Sequence, residues 1–136
     1  MFSIIKEFKF EYAHKLNMDY DSPCKNIHGH SAKIFVEIWA EELNKNGMII
    51  DFTHLKLFQD YLDKEFDHKT ILNCNDDHIN LINTDVTTIV VDPTSENLAK
   101  IFYIQIKEIL EEKNIPFKKI KVTFFETAKN SASYEE

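Results

Sequence analysis

The chain has 136 residues, 43% of them hydrophobic and eleven of them phenylalanine, with a formal net charge of −7. That length suits one domain, 1–136, with a real core, and the apolar content excludes a disordered chain. The acidic balance argues against nucleic-acid binding, which needs a basic face, and no apolar run approaches the ~20 residues of a membrane span.

The first residues carry no secretory pattern, because charged and apolar residues alternate from Lys6 onward. The expected location is therefore cytoplasmic. Two cysteines, Cys24 and Cys74, are too few for a disulfide framework and read as free thiols in a reducing compartment. All sixteen basic residues are lysines. A phosphate on any ligand must then be met by lysine charges, backbone N–H groups or metal, without a guanidinium fork.

In chain order, Phe8 to Tyr12 alternates apolar and charged residues and predicts a half-buried strand, followed directly by Ala13-His14. Asp21-Ser22-Pro23 predicts a turn that sets Cys24 on a loop beside Lys25. His28-Gly29-His30 then leads into a second strand, Ser31 to Ala40. If extended backbone reaches His28, both histidines share the face of Ala32, Ile34, Val36, Ile38 and Ala40. Gly29, one of two glycines, leaves room for other groups to approach. Asn46-Gly47 predicts a hairpin turn feeding a short strand, Met48 to Ile50.

Asp51 or Thr53 caps a predicted helix whose apolar positions Leu55, Phe58, Leu62 and Phe66 follow helical spacing, ending near Asp67-His68. Residues 73–85 read as loop and Val86 to Val91 as a short strand. Pro93-Thr94-Ser95 opens a second helix, capped by Thr94, with Leu98, Ile101, Phe102, Ile109 and Leu110 as its buried stripe. Asn114-Ile115-Pro116 stops it. A last strand, Ile120 through Phe124, delivers Glu126 at its end. The expected fold class is α+β: an antiparallel sheet with two helices packed on one face.

Singly, each histidine is an ordinary surface or core residue. His14, His28 and His30 together, on neighbouring strands ~5 Å apart, can close three imidazoles on one ion. Three nitrogen ligands with an open fourth position are the catalytic form of a zinc site. Cys24 is either a small buried apolar group or, with a cation or metal nearby, a thiolate base. Asp67-His68 is either a helix end, where a charged histidine meets the dipole, or a proton relay. Glu126 is either a solvated strand end or an acceptor for the paired N–H groups of a planar heterocycle. Glu96 is first explained by the helix dipole and second by a ligand contact.

These residues, in this order, resemble the family of 6-pyruvoyltetrahydropterin and 6-carboxytetrahydropterin synthases. The matching pieces are Phe10 with Ala13-His14, then Cys24, His28-Gly29-His30 and Gly47-Met48-Ile49-Ile50-Asp51-Phe52. Asp67-His68 with Leu72-Asn73, Pro93-Thr94-Ser95-Glu96-Asn97-Leu98-Ala99 and Glu126-Thr127 complete them. The resemblance implies a tunnelling fold, in which three sheets close a barrel and two trimers stack into a homohexamer. It also implies Zn2+ held by His14, His28 and His30, with Cys24 as base. Asp67 and His68 would complete the relay from a neighbouring subunit, and Glu126 would anchor the pterin. The implied reaction is a lyase step on 7,8-dihydroneopterin triphosphate.

Three features depart from the family pattern: Tyr12 in place of a small residue, Ala32 in place of an aromatic, and Lys69 to Ile71 as a longer spacer after His68. The three residues between Cys24 and His28 look like the bacterial 6-carboxytetrahydropterin synthases of queuosine and deazapurine biosynthesis. The alternatives are a pyruvoyl-forming synthase and a non-catalytic oligomeric zinc- or pterin-binding module. Retention of Cys24, Asp67 and His68 together disfavours the module, since binding alone needs no proton relay.

Overall fold

Strands β1 (Phe2–His14) and β2 (His28–Ala40) form a long antiparallel pair, in register from Phe2 opposite Ala40 to His14 opposite His28. The period-2 alternation puts Phe8, Phe10, Tyr12 and His14 on the same face as His28, His30, Ala32, Ile34, Val36 and Ile38. β1 begins well before the expected Phe8, because pairing with the far half of β2 carries extended backbone back to Phe2. The computed structural model describes residues 1–83 and 85–136.

Beyond β2 lie β5 (Lys119–Phe125) and the edge strand β6 (Ser131–Glu135), both antiparallel to their neighbours. On the other side, β3 (Lys69–Asn73) runs parallel to β1, and β4 (Val86–Ile89) parallel to β3. The order is β4-β3-β1-β2-β5-β6, with β4 and β6 as edges. The sheet is therefore mixed, which corrects the antiparallel expectation. The chain passes from β2 through a helix and over β1 to β3, which runs opposite to β2 and therefore parallel to β1.

β3 falls partly in a segment without strand alternation. Its central Thr70, Ile71 and Leu72 are all buried, as in a strand covered on both faces. β6 (Ser-Ala-Ser-Tyr-Glu) has almost no apolar signal of its own. It is held by its ladder to β5 and by Tyr134, whose ring lies 5.0 Å from that of Tyr103. The strand expected over Met48 to Ile50 is absent. Gly47 supplies a left-handed turn residue (φ 75°), but the Asn44 side chain takes the N–H groups of Asn46 and Met48, and the chain bends inward to bury Ile49 and Ile50.

Helix α1 (Lys56–Glu65) follows a 3-10 turn, Phe52–Leu55, capped by Asp51, whose carboxylate accepts the Thr53 N–H at 2.9 Å. Helix α2 (Ser95–Glu112) is capped by Thr94, as expected, with Asn97 N–H donating to Thr94 Oγ1 at 3.2 Å. Its end is a Schellman arrangement around Asn114 (φ 54°): Asn114 N–H reaches Glu111 O and Ile115 N–H reaches Leu110 O.

Both helices cover the face that carries the histidines. Phe8 meets Phe58 of α1 edge-on at 4.9 Å. Phe10 sits among Phe66, Phe102 of α2 and Phe124 of β5 at 5.8–6.1 Å. This aromatic layer is the floor under the histidine cluster. Among the described residues, no helix is long and apolar enough to cross a membrane.

Candidate metal centre and its surroundings

His14 and His28 end β1 and begin β2 as directly paired residues, and His30 lies two positions further on the same face. Their rings form a nearly regular triangle, with centroids 4.6, 5.0 and 4.8 Å apart and planes steeply inclined to one another. Glu126, just past β5, brings Oε1 to 3.0 Å from His30 Nε2. The four residues offer ligand atoms that all lie within 4.8 Å of one another, so the cluster can hold a metal ion.

Backbone carbonyls fix the tautomers. His14 Nδ1 lies 2.8 Å from Pro93 O, and His28 Nδ1 lies 2.7 Å from Asn26 O. A carbonyl only accepts, so each Nδ1 carries the hydrogen and each Nε2 keeps a lone pair for the centre. The Pro93 carbonyl is itself held in place. Asp92 accepts from Asn17 N–H at 2.9 Å and from Asn73 Nδ2 at 3.0 Å, while its own carbonyl takes Asn97 Nδ2 at 2.9 Å.

Burial, reinforced by the neighbouring imidazoles, pulls His14 down to about 4. Burial also lowers His30, followed by Glu126 acting the other way. Neutral imidazoles are the ligand form. His30 Nε2 is buried without an aligned hydrogen-bond partner, an orphan that a metal would satisfy. The donor set, three imidazoles with a neighbouring carboxylate, suits a divalent transition metal.

Gly29 pairs with Ala13 on the opposite face. A Cβ there would meet only Tyr12 O, at 3.4 Å, so close approach of other groups is not what this position requires. Its place is instead the shared wall of two cavities. One, of ≈ 500 Å³, also includes Glu11, Tyr12, His30, His68 and Thr70. The other, of ≈ 610 Å³, includes His30, Lys33, Phe35, Phe125, Glu126 and Thr127.

Cys24 lies in a 3-10 turn, Pro23–Lys25, and is half-buried; Cys74 is exposed, and both thiols are free. Its carbonyl accepts Leu16 N–H at 2.9 Å, which ties its loop to the residues just after His14. Its thiol is not among the converging ligand atoms. Asp67 and His68 form a pair at 2.7 Å through His68 Nδ1, leaving Nε2 outward on a side chain that is 78% exposed. The Asp67 hydrogen bond raises His68. Burial works to raise Asp67, but the Glu11 N–H (2.8 Å) and His68 hold it below its ordinary range. His68 adopts φ 57°, a left-handed conformation that turns the chain from α1 into β3.

Glu96 stays exposed in the first turn of α2, outside the cluster and both cavities. Its neighbour Ser95 enters instead, its hydroxyl donating to Glu126 Oε2 at 2.7 Å. Ser95, the Pro93 carbonyl and the Asp92 network were not legible as site components, since serine and asparagine at a helix start read as capping. Tyr12 is buried beside His14 and His30, with ring centroids at 5.0 and 5.6 Å. Burial first, then the Glu126 charge, keeps its phenol protonated well above the usual range.

The family model described as 6-pyruvoyl tetrahydropterin synthase matches residues 3–136. A protein of Aquifex aeolicus named 6-carboxy-5,6,7,8-tetrahydropterin synthase is 31% identical, across 98% of this chain and 97% of its own. One of Haemophilus influenzae with the same name is 48% identical over 60 residues, 41% of each chain. Among solved structures, an uncharacterized protein of Wolinella succinogenes aligns with a TM-score of 0.83 at 21% identity, covering 98% of this chain and 97% of that one. The 6-pyruvoyl tetrahydropterin synthase of Plasmodium vivax aligns at 0.81 and 20% identity, covering 98% and 96%. The last two establish the fold, and the match over nearly the whole sequence places the rest: this chain belongs to the 6-pyruvoyl tetrahydropterin synthase family.

Proposed function

We propose that the chain is a zinc-dependent 6-carboxytetrahydropterin synthase, a lyase acting on 7,8-dihydroneopterin triphosphate in queuosine and deazapurine biosynthesis in the cytoplasm. The carrying observation is the triangle of His14, His28 and His30 with two Nε2 lone pairs fixed toward one point. The full-length likeness to the Aquifex aeolicus protein of that name supports the choice of product.

His14, His28 and His30 would hold the zinc, which when bound acidifies hydroxyl and adjacent C–H groups of a chelating side chain. The pterin would lie in the ≈ 610 Å³ cavity lined by Phe35 and Phe125, with its amino and ring N–H groups donating to Glu126. Ser95 O–H holds Glu126 Oε2 in orientation. Cys24 Sγ would take a proton from the substrate side chain. His68 would return one through Nε2, since Asp67 occupies Nδ1.

The open edges β4 and β6 support a homohexamer, a dimer of trimers, in which neighbouring sheets continue one another. Exposed Phe2 and Ile5 on β1 add apolar surface to such a contact. Two measurements test the reading. Turnover of dihydroneopterin triphosphate should give the carboxy product by mass spectrometry, and a pyruvoyl product would assign the other synthase. Light scattering should give six times the chain mass, and a monomer at micromolar concentration would refute the assembly.

A further inference from the structure

Tyr12 and His30 are cross-strand partners in the β1–β2 ladder; the Tyr12 hydroxyl is buried without a hydrogen-bond partner among the described residues, and His30 Nε2 has only the unaligned Glu126 Oε1 at 3.0 Å. The tyrosine is 4% exposed. Its ring is closed in by Phe10 at 5.1 Å and Phe124 at 6.0 Å on one side and by His14 and His30 on the other. Bulk water does not reach the hydroxyl. A phenylalanine would fill the same space without stranding a polar group, so packing alone does not explain a tyrosine here.

The surroundings indicate what the hydroxyl is kept for. In the metal-dependent reading the Nε2 lone pairs of His14 and His28 are taken by the ion, and the Glu126 carboxylate beside them is an acceptor, not a donor. Ser95 O–H is already spent on Glu126. An oxygen ligand on that ion would therefore find no free donor among these groups. Tyr12, whose ring packs against those of His14 and His30, carries an unspent O–H donor, and a donor is what an anionic or metal-polarised oxygen requires.

We propose that Tyr12 is a ligand-binding residue of the three-histidine centre, its hydroxyl donating a hydrogen bond to a hydroxyl or carboxylate oxygen bound beside His14 and His30. This rests on the metal-dependent reading above and adds the residue that recognises the oxygen.

The test uses the full chain loaded with cobalt(II), whose visible absorption reports changes at the metal, with acetate as the oxygen probe. Wild type and Tyr12→Phe should bind the same amount of cobalt and melt at the same temperature or slightly higher in the variant. Acetate should bind about tenfold more weakly to Tyr12→Phe, the effect of one lost hydrogen bond. Equal acetate affinity in the two cobalt-loaded proteins would overturn the inference and leave the metal reading intact. A strongly destabilised or unfolded Tyr12→Phe would also overturn it, by showing that the hydroxyl has a structural partner. Failure of wild type to bind cobalt would overturn the metal reading and the inference with it.

Discussion

His14 Nε2 and His28 Nε2 lie 3.1 Å apart, and both rings have committed their Nδ1 hydrogen to a backbone carbonyl. Two neutral imidazoles in these tautomers present lone pairs to each other, which is repulsive. Only a shared proton or a cation makes the contact favourable. With His14 lowered to about 4 by burial, a proton is a poor occupant at neutral pH, and a metal is the better one.

The protein purified without chelator should therefore carry about one zinc per chain, as three-histidine sites do. Substitution His28→Ala or His30→Ala should abolish it. Elemental analysis decides the point: a chain with no zinc, or an unchanged content in His30→Ala, would refute the site.

Cys24→Ala should keep its zinc and its oligomeric mass while losing nearly all turnover. The thiol lies outside the converging ligand atoms, yet its loop is tied to the chain beside His14 by the Leu16–Cys24 hydrogen bond. Normal turnover would show that another group is the base. Loss of zinc would make the cysteine a ligand and favour a closed, non-catalytic centre.

Glu126→Gln should weaken pterin binding and leave the metal in place. Charge-assisted hydrogen bonds are worth about 1.5–3 kcal/mol each, so the dissociation constant should rise about tenfold or more. Titration calorimetry with a pterin, alongside metal analysis, separates two roles. A drop in metal content would mean that the carboxylate seen 3.0 Å from His30 Nε2 is a fourth ligand instead of a pterin anchor.

Asp67→Asn should shift the pH–rate profile. The Asp67 hydrogen bond and charge raise His68, stabilising its protonated form. Removing the carboxylate lowers that pKa, so activity that needs protonated His68 should be lost at lower pH than in wild type. A profile measured across neutral pH that does not move would remove His68 from the proton path.

Lys15 and Asp76 form a nearly enclosed ion pair at 2.7 Å that joins the residues after His14 to the segment after β3. Lys15 and the His78 N–H, working against burial, hold the Asp76 carboxyl down to about 2. The pair's contribution should thus be intact above the ordinary carboxylate value of 3.8 and disappear as pH falls through about 2. Asp76→Ala leaves the buried Lys15 charge with only the neutral Asn17 Oδ1 at 3.0 Å and should cost about 3 kcal/mol in chemical denaturation at neutral pH. A change within 0.5 kcal/mol, about the scatter of surface substitutions, would mean the pair is solvated.

Local periodicity made much of this legible in the amino-acid order. Alternation in Phe8 to Tyr12 and Ser31 to Ala40 placed the strands and gave His14, His28 and His30 one parity, and β1–β2 pairing turned parity into a triangle. Helical spacing and the Thr94 cap located α2, because capping and amphipathicity act within a few residues. Other features depended on partners far away in sequence. β6 exists because β5 pairs with it, and the sheet is mixed because β3 and β4 return parallel to β1. Pro93 O reaches His14 from 79 residues away, Ser95 meets Glu126, and Tyr12 is sealed in by Phe124. Such contacts follow from how the layers pack and which groups packing leaves without water. No window of sequence carries that information, so the ligand triangle could be read from the chain and its orienting shell only from the fold.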